Sequence, residues 1–86
     1  MTDGPDRVLI QRGQQGDREA IAQLYRRYAH AIGRYVTYRV PDDAAVEDIT
    51  AEVFLRMIEG LPQYRVTGAP FDAWLYRIAA ARVADY

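Results

Sequence analysis

The sequence predicts an all-α domain, a compact bundle of three main helices preceded by a short one. Three observations carry that prediction. Every apolar run follows steps of three and four residues, and none alternates as a strand would. Stop-and-start signals separate the runs: Gly16-Asp17, Pro41-Asp42-Asp43, Leu61-Pro62 and Gly68-Ala69-Pro70. The chain has 86 residues, half of them hydrophobic and about a quarter charged, which suits one small folded domain.

In chain order, residues 1–5 read as a flexible tail and residues 6–86 as the helical domain. Asp6 can cap a short helix running through Val8, Leu9, Ile10 and Arg12 to about Gln15. Its apolar content is low, so it must dock on something larger. Gly16 stops it and Asp17 caps the next helix, with Glu19 favourable in the first turn. That second helix carries Ile21, Leu24, Tyr25, Tyr28, Ala31, Ile32, Tyr35 and Val36, the strongest periodicity in the chain. It is expected to last to about Arg39 or Val40, with Gly33 allowing close approach of another helix.

The third helix is expected to run to about Glu59 or Gly60. Val46, Ile49, Val53, Phe54, Met57, Ile58 and Leu61 share its core arc. The opposite arc carries Asp48, Glu52, Leu55, Arg56 and Glu59. An apolar Leu55 in a charged stripe suits a partner surface better than open water, and the acids would repel phosphates. The partner implied is a basic protein surface.

After the Leu61-Pro62 break come a loop and a last helix, with Pro70 expected in its first turn. No stop signal ends that helix, so it is expected to be still running at Tyr86, as in a chain cut from a longer protein. Tyr64, Phe71, Trp74, Tyr76, Arg65, Arg77 and Arg82 place four aromatics and three arginines within nineteen residues. Aromatic faces stack on bases and arginines neutralise phosphates, which is the equipment of a single-strand binder. Phe71, Leu75 and Ile78 are spaced as core; Trp74 lies at the edge of that face, and Tyr76 and Arg77 lie off it.

Net charge is −1 and every one of the eleven cationic residues is Arg. The chain as a whole is therefore no basic nucleic-acid binder. Charge is unevenly placed: Arg18 to Val40 holds five Arg against one Glu, and Pro41 to Glu59 six acids against Arg56. There are no cysteines, so no disulfide and no thiolate metal site. His30 is alone and reads as an ordinary helix residue, so no metal or other cofactor is expected. There is no Ser-His-Asp or Cys-His set and no Gly-rich phosphate loop, so no enzymatic function and no catalytic residue is expected. No apolar run is long enough for a bilayer and no signal peptide is evident; the expectation is a cytoplasmic protein with no membrane partner.

Asp48-Ile-Thr-Ala-Glu52-Val-Phe54, Leu61-Pro-Gln-Tyr-Arg65, Phe71-Asp-Ala-Trp-Leu-Tyr-Arg-Ile-Ala79 and Asp85-Tyr86, in this order, resemble region 2 of bacterial sigma factors. The nearest type is the extracytoplasmic function (ECF) group. Gln15-Gly-Asp17-Arg-Glu-Ala20 with Leu24 and Tyr28 fits the same pattern, which covers the chain from about Val8. The resemblance implies binding to core RNA polymerase, through the coiled coil of its largest subunit, by Asp48, Glu52, Leu55, Arg56 and Glu59. It implies capture and melting of the −10 promoter element, preferentially as a single strand. Tyr64, Arg65, Phe71, Trp74, Arg77 and Arg82 would bind that strand or shape the pocket for a flipped base. It also brings an anti-sigma factor as a candidate partner. Two positions depart from the family: Ala51 stands where Gln is common, and Ala80-Ala81 where Arg-Asn is common. The first implies a weaker polymerase contact. The second implies a different base preference, or one resting more on the loop.

Two other readings fit the helical pattern: an adapter binding protein only, and a helix-turn-helix repressor. The alanines of the last helix, Ala73, Ala79, Ala80 and Ala81, suit major-groove reading poorly.

Overall fold

The computed structural model describes residues 4–86. Its helices are α1 (Gly4–Gln14), α2 (Arg18–Thr37), α3 (Asp43–Gly60) and α4 (Phe71–Ala84), with a single 3-10 turn at Leu61–Gln63. Each boundary has a local cause. Gly16 takes a left-handed φ of 89°, the conformation in which a side chain would be strained, and so turns the chain out of α1. Asp17 then accepts the backbone N–H groups of Glu19 and Ala20 at 3.0 and 3.2 Å, two donors that the first turn of α2 leaves unpaired. Arg12 reaches back to the same carboxylate at 2.7 Å. That hydrogen bond, followed by the one from Ala20 N–H, holds the Asp17 carboxyl below the usual range. Asp42 repeats the cap for α3 through Ala44 and Ala45 N–H. Pro62 lies in the tightened turn after Gly60, and Pro70 is the cap of α4.

The core is one cluster to which all four helices contribute. Ile10 of α1, Leu24, Ile32 and Val36 of α2, Val53 and Met57 of α3, Leu61, and Phe71 and Leu75 of α4 are fully buried. Taking a side chain of this size out of water stabilises the fold by about 1.5–3 kcal/mol, which is what holds so short a chain together.

Several expectations change at this level. Residues 1–3 of the expected tail lie outside the described residues, and helix is already formed at Gly4 and Pro5. Asp6 is consequently not a cap. It is buried in the first turn of α1, accepts the Tyr28 hydroxyl, and faces Arg27 Nε at 3.0 Å, a charge contact not aligned as a hydrogen bond. Burial first, and the Asp6 hydrogen bond second, push the Tyr28 hydroxyl well above its ordinary pKa. Gly33 meets no other helix, because a Cβ there would find nothing within 4 Å. Tyr25 and Ile58 leave the core for the surface, at 48% and 45% exposure. Tyr25 still rests edge-on against Phe54, ring centroids 4.9 Å apart. α2 closes at Thr37 rather than Arg39, and α4 closes at Ala84 rather than continuing through Tyr86.

Candidate functional site

Two surfaces sit either side of the α3–α4 junction. On α3, Asp48, Leu55, Arg56 and Glu59 are exposed and Glu52 is half-buried, all on the arc away from the core. Leu55 is 54% exposed, and the displaced Ile58 stands one turn further along, so the stripe holds two large apolar side chains rather than one. Arg56 lies between Glu52 at 3.4 Å and Glu59 at 4.0 Å, which damps the negative charge at the end of the helix.

Beyond the 3-10 turn, the chain reverses and Tyr64 folds back onto α4. Its ring lies 4.7 Å from that of Trp74 at 36° and 5.1 Å from that of Phe71 at 84°. Phe71 in turn meets Tyr28 at 5.9 Å, so a column of four rings leads from the Asp6–Tyr28 pair to the loop. Pairs of this kind stabilise beyond the area they bury, by about 0.5–1.5 kcal/mol each. Gly60 gives Trp74 its place: a Cβ there would stand 3.0 Å from Trp74 Cζ2, so any larger residue would push the indole away. Gln14 of α1 ties the turn down, donating through Nε2 to the carbonyls of Leu61 and Tyr64 at 3.1 and 2.7 Å.

The six residues read as strand-binding divide into three groups. Tyr64 and Trp74 are brought together as partly exposed rings. Phe71 is 1% exposed, in keeping with its core spacing, and packs beneath Tyr64 and Trp74, where it can shape the candidate site but not line its surface. The arginines separate. Arg65 on the loop and Arg77 on α4 are exposed and enter no ion pair among the described residues. Arg82 is held by Glu52 at 3.3 Å and by Asp85 at 2.8 Å, so it is not the free cation expected. A groove of about 510 Å³ runs between the end of α3 and α4, with Trp74 and Ile78 on its apolar side and Arg56, Arg77 and Arg82 around it. Gln14, Gly60 and the Glu52–Arg82 pair were not foreseen. They join residues far apart in sequence, where periodicity carries no signal.

Among the described residues there is no cluster of metal-ligating side chains, and no helix is long and apolar enough to cross a membrane.

Comparison with known proteins places this arrangement. The family model Sigma-70 region 2 matches residues 24–86. The chain is 40% identical over 78 residues to the ECF RNA polymerase sigma factor BldN of Streptomyces coelicolor, covering 91% of this chain and 30% of that protein. It is 37% identical over 81 residues to the ECF RNA polymerase sigma-E factor of Escherichia coli K12, covering 94% of this chain and 41% of the relative. The chain thus spans less than half the length of these curated relatives. Among solved structures, an engineered region 2 of sigmaE in complex with GTAAAA superimposes with a TM-score of 0.84 at 34% identity, covering 94% of this chain and 83% of that one. The chain belongs to the Sigma-70 region 2 family, in its ECF form.

Proposed function

We propose that this domain recognises promoters for an ECF sigma factor: it docks on core RNA polymerase through α3 and captures the −10 element through the loop before α4. It would act with the polymerase in the cytoplasm. The observation that carries the reading is the Tyr64–Trp74 ring pair, partly exposed beside the exposed Arg65 and Arg77. Stacking of a base on an aromatic side chain is worth about 1–3 kcal/mol, and taking a base out of duplex costs a few kcal/mol. The two nearly cancel, so the strand opens only where its sequence adds further contacts. The related sigmaE region 2 was solved with GTAAAA, which supports nucleic acid as the ligand of this fold.

On the other side, Asp48, Glu52 and Glu59 with Leu55 form an acidic stripe with an apolar centre. A basic helical surface such as the coiled coil of the largest polymerase subunit is complementary to it. Charge there sets orientation and encounter rate, and Leu55, exposed until a partner covers it, would supply apolar contact at the centre. The test is a pull-down with core polymerase combined with titration of a labelled −10 strand. Retention by polymerase and binding of the single strand support the reading; failure of either removes that half of it.

A further inference from the structure

We propose that Gln14 is a positioning residue for strand capture: from α1, which holds none of the candidate contact residues, its side-chain amide fixes the turn that presents Tyr64. The inference rests on the reading of Tyr64 and Trp74 as a base-stacking surface. Gln14 Nε2 lies 3.1 Å from the carbonyl oxygen of Leu61 and 2.7 Å from that of Tyr64. A side-chain amide has two N–H donors, and here each has its own acceptor. The same Leu61 carbonyl also receives the Tyr64 N–H at 3.0 Å. One amide therefore closes the turn from outside while the backbone closes it from within.

The position of α1 leaves little slack. A Cβ at Gly13 would stand 2.8 Å from Leu61 Cδ2 and 3.3 Å from Ile21 Cγ1, so the helix rests directly on the residue whose carbonyl Gln14 holds. Three residues further on, Tyr64 has left helical geometry for an extended ψ of 134°. With its carbonyl fixed, Tyr64 keeps its ring on Trp74 before any ligand arrives. A loop free to move would have to be ordered on binding, and that cost is subtracted from affinity.

The side chain at position 14 must donate, not merely fill space. Alanine would take the side-chain donor away from both carbonyls, leaving the turn closed at Leu61 by the Tyr64 N–H alone. Glutamate would set carboxylate oxygens against carbonyl oxygens. Lysine has three donors and comparable reach. The expected order of function is therefore Gln, then Lys, then Ala, then Glu, which neither side-chain volume nor helix propensity would produce.

The experiment uses Gln14→Lys, Gln14→Ala and Gln14→Glu with two readouts. The first needs no ligand: Trp74 is the only tryptophan, so acrylamide quenching of its fluorescence reports whether Tyr64 still covers it. Quenching should rise from Lys to Ala to Glu, with Lys close to the unaltered protein. The second is affinity for a labelled GTAAAA strand at about 0.3 M salt, where one added charge matters little. A loss of about tenfold is expected for Gln14→Glu, equivalent to ~1.4 kcal/mol, and a smaller one for Gln14→Ala. Pull-down by core polymerase should be unchanged in all three. The proposal is overturned if Lys behaves as Ala, or if quenching does not change with the side chain. Should Gln14→Glu fail to fold, the Lys–Ala comparison decides alone. Should the unaltered protein bind no strand, the functional reading falls, while the quenching order still decides whether Gln14 holds the turn.

Discussion

Arg82 reaches from α4 to the Glu52 carboxylate of α3, its Nη1 3.3 Å from Oε2, while its other terminal nitrogen holds Asp85 at 2.8 Å. The two candidate surfaces thus meet in one ion pair. Glu52 is shared between Arg82 and Arg56, and the proposed strand-binding side loses a cation to the proposed polymerase-binding side. All of these side chains remain partly exposed, so the pairs contribute little to stability, about 0–1 kcal/mol each. Their effect is on which charges are available to partners.

The first prediction follows for the stripe. Reversing Asp48 and Glu52 together to Arg should abolish retention by core polymerase while the helical circular dichroism spectrum stays intact, because both lie off the core arc. Loss of the Arg82 pair should lower the melting temperature only slightly. A double variant that still binds polymerase normally assigns the docking surface elsewhere.

The ion pair also sharpens the expected salt dependence of strand binding. With Arg82 engaged, Arg65 and Arg77 are what remains of the three candidate arginines to meet phosphates. At about −0.7 per phosphate on a single strand, log K against log salt should have a slope of roughly −1.4. Net charge is −1, so long-range attraction adds little, and binding should be weak and prefer single strand over duplex. Oligonucleotide titrations at several salt concentrations measure both quantities. A slope near zero would remove the arginines from the contact, and preference for duplex would favour a helix-turn-helix mode.

Acid should weaken the α1–α2 junction through Asp17. Its carboxyl is held below the ordinary value of 3.8 by Arg12 and then by Ala20 N–H, so the folded state binds the proton less tightly than the unfolded one. The stabilisation is complete above that value and is lost as the pH falls through the lower folded pKa. Asp17→Asn keeps a capping oxygen but removes the charge and the Arg12 pair. Melting temperatures of the two proteins should differ at neutral pH and converge below pH 3.8. A constant difference down to the lowest pH would show that the charge is not what Arg12 and the cap recognise.

The parts of this molecule that were legible in the sequence are those that repeat locally. Helix spans followed from the three-and-four spacing, and the Asp17 and Asp42 caps from residue type beside Gly16 and Pro41, because both are decided within one turn of chain. Ile58 and Tyr25 went wrong for one reason: each lies at the margin of an apolar arc, and only the placement of the neighbouring helix decides which side of the margin is covered. Asp6 looked like a cap because caps are the common use of an Asp before an apolar run. Tyr28 and Arg27, about twenty residues on, gave it a buried partner instead. The candidate strand-binding residues were named from the aromatics and arginines crowded after Leu61 and from family resemblance, and Phe71 was placed in the core by its spacing. Neither signal could show that Arg82 is engaged or that Gln14 reaches the loop.

Tyr64 and Trp74 provide the decisive comparison, because their rings touch but their bonds to the fold differ. Tyr64 is half-buried on a loop and leans on Phe71 and Trp74; Trp74 is fixed within α4 and wedged against Gly60. Removing a fully buried Trp costs about 3–5 kcal/mol. Trp74 is only partly buried, so Trp74→Ala should fall toward the lower end of that range. Tyr64→Ala removes two ring contacts worth about 0.5–1.5 kcal/mol each, offset in part by relaxation of the loop. For a domain of this size, 1 kcal/mol moves the melting temperature by about 4–8 °C, so the two variants should be separable by thermal denaturation. Function should rank them differently. Tyr64→Ala loses a stacking surface worth about 1–3 kcal/mol per base and should weaken promoter opening in a polymerase assay more than its stability loss explains. Arg65→Ala should also weaken opening, but with no change in melting temperature and with an effect that shrinks at high salt. If Tyr64→Ala and Trp74→Ala lower the melting temperature equally, and opening declines only in proportion, then Tyr64 is a packing residue and the base must stack elsewhere.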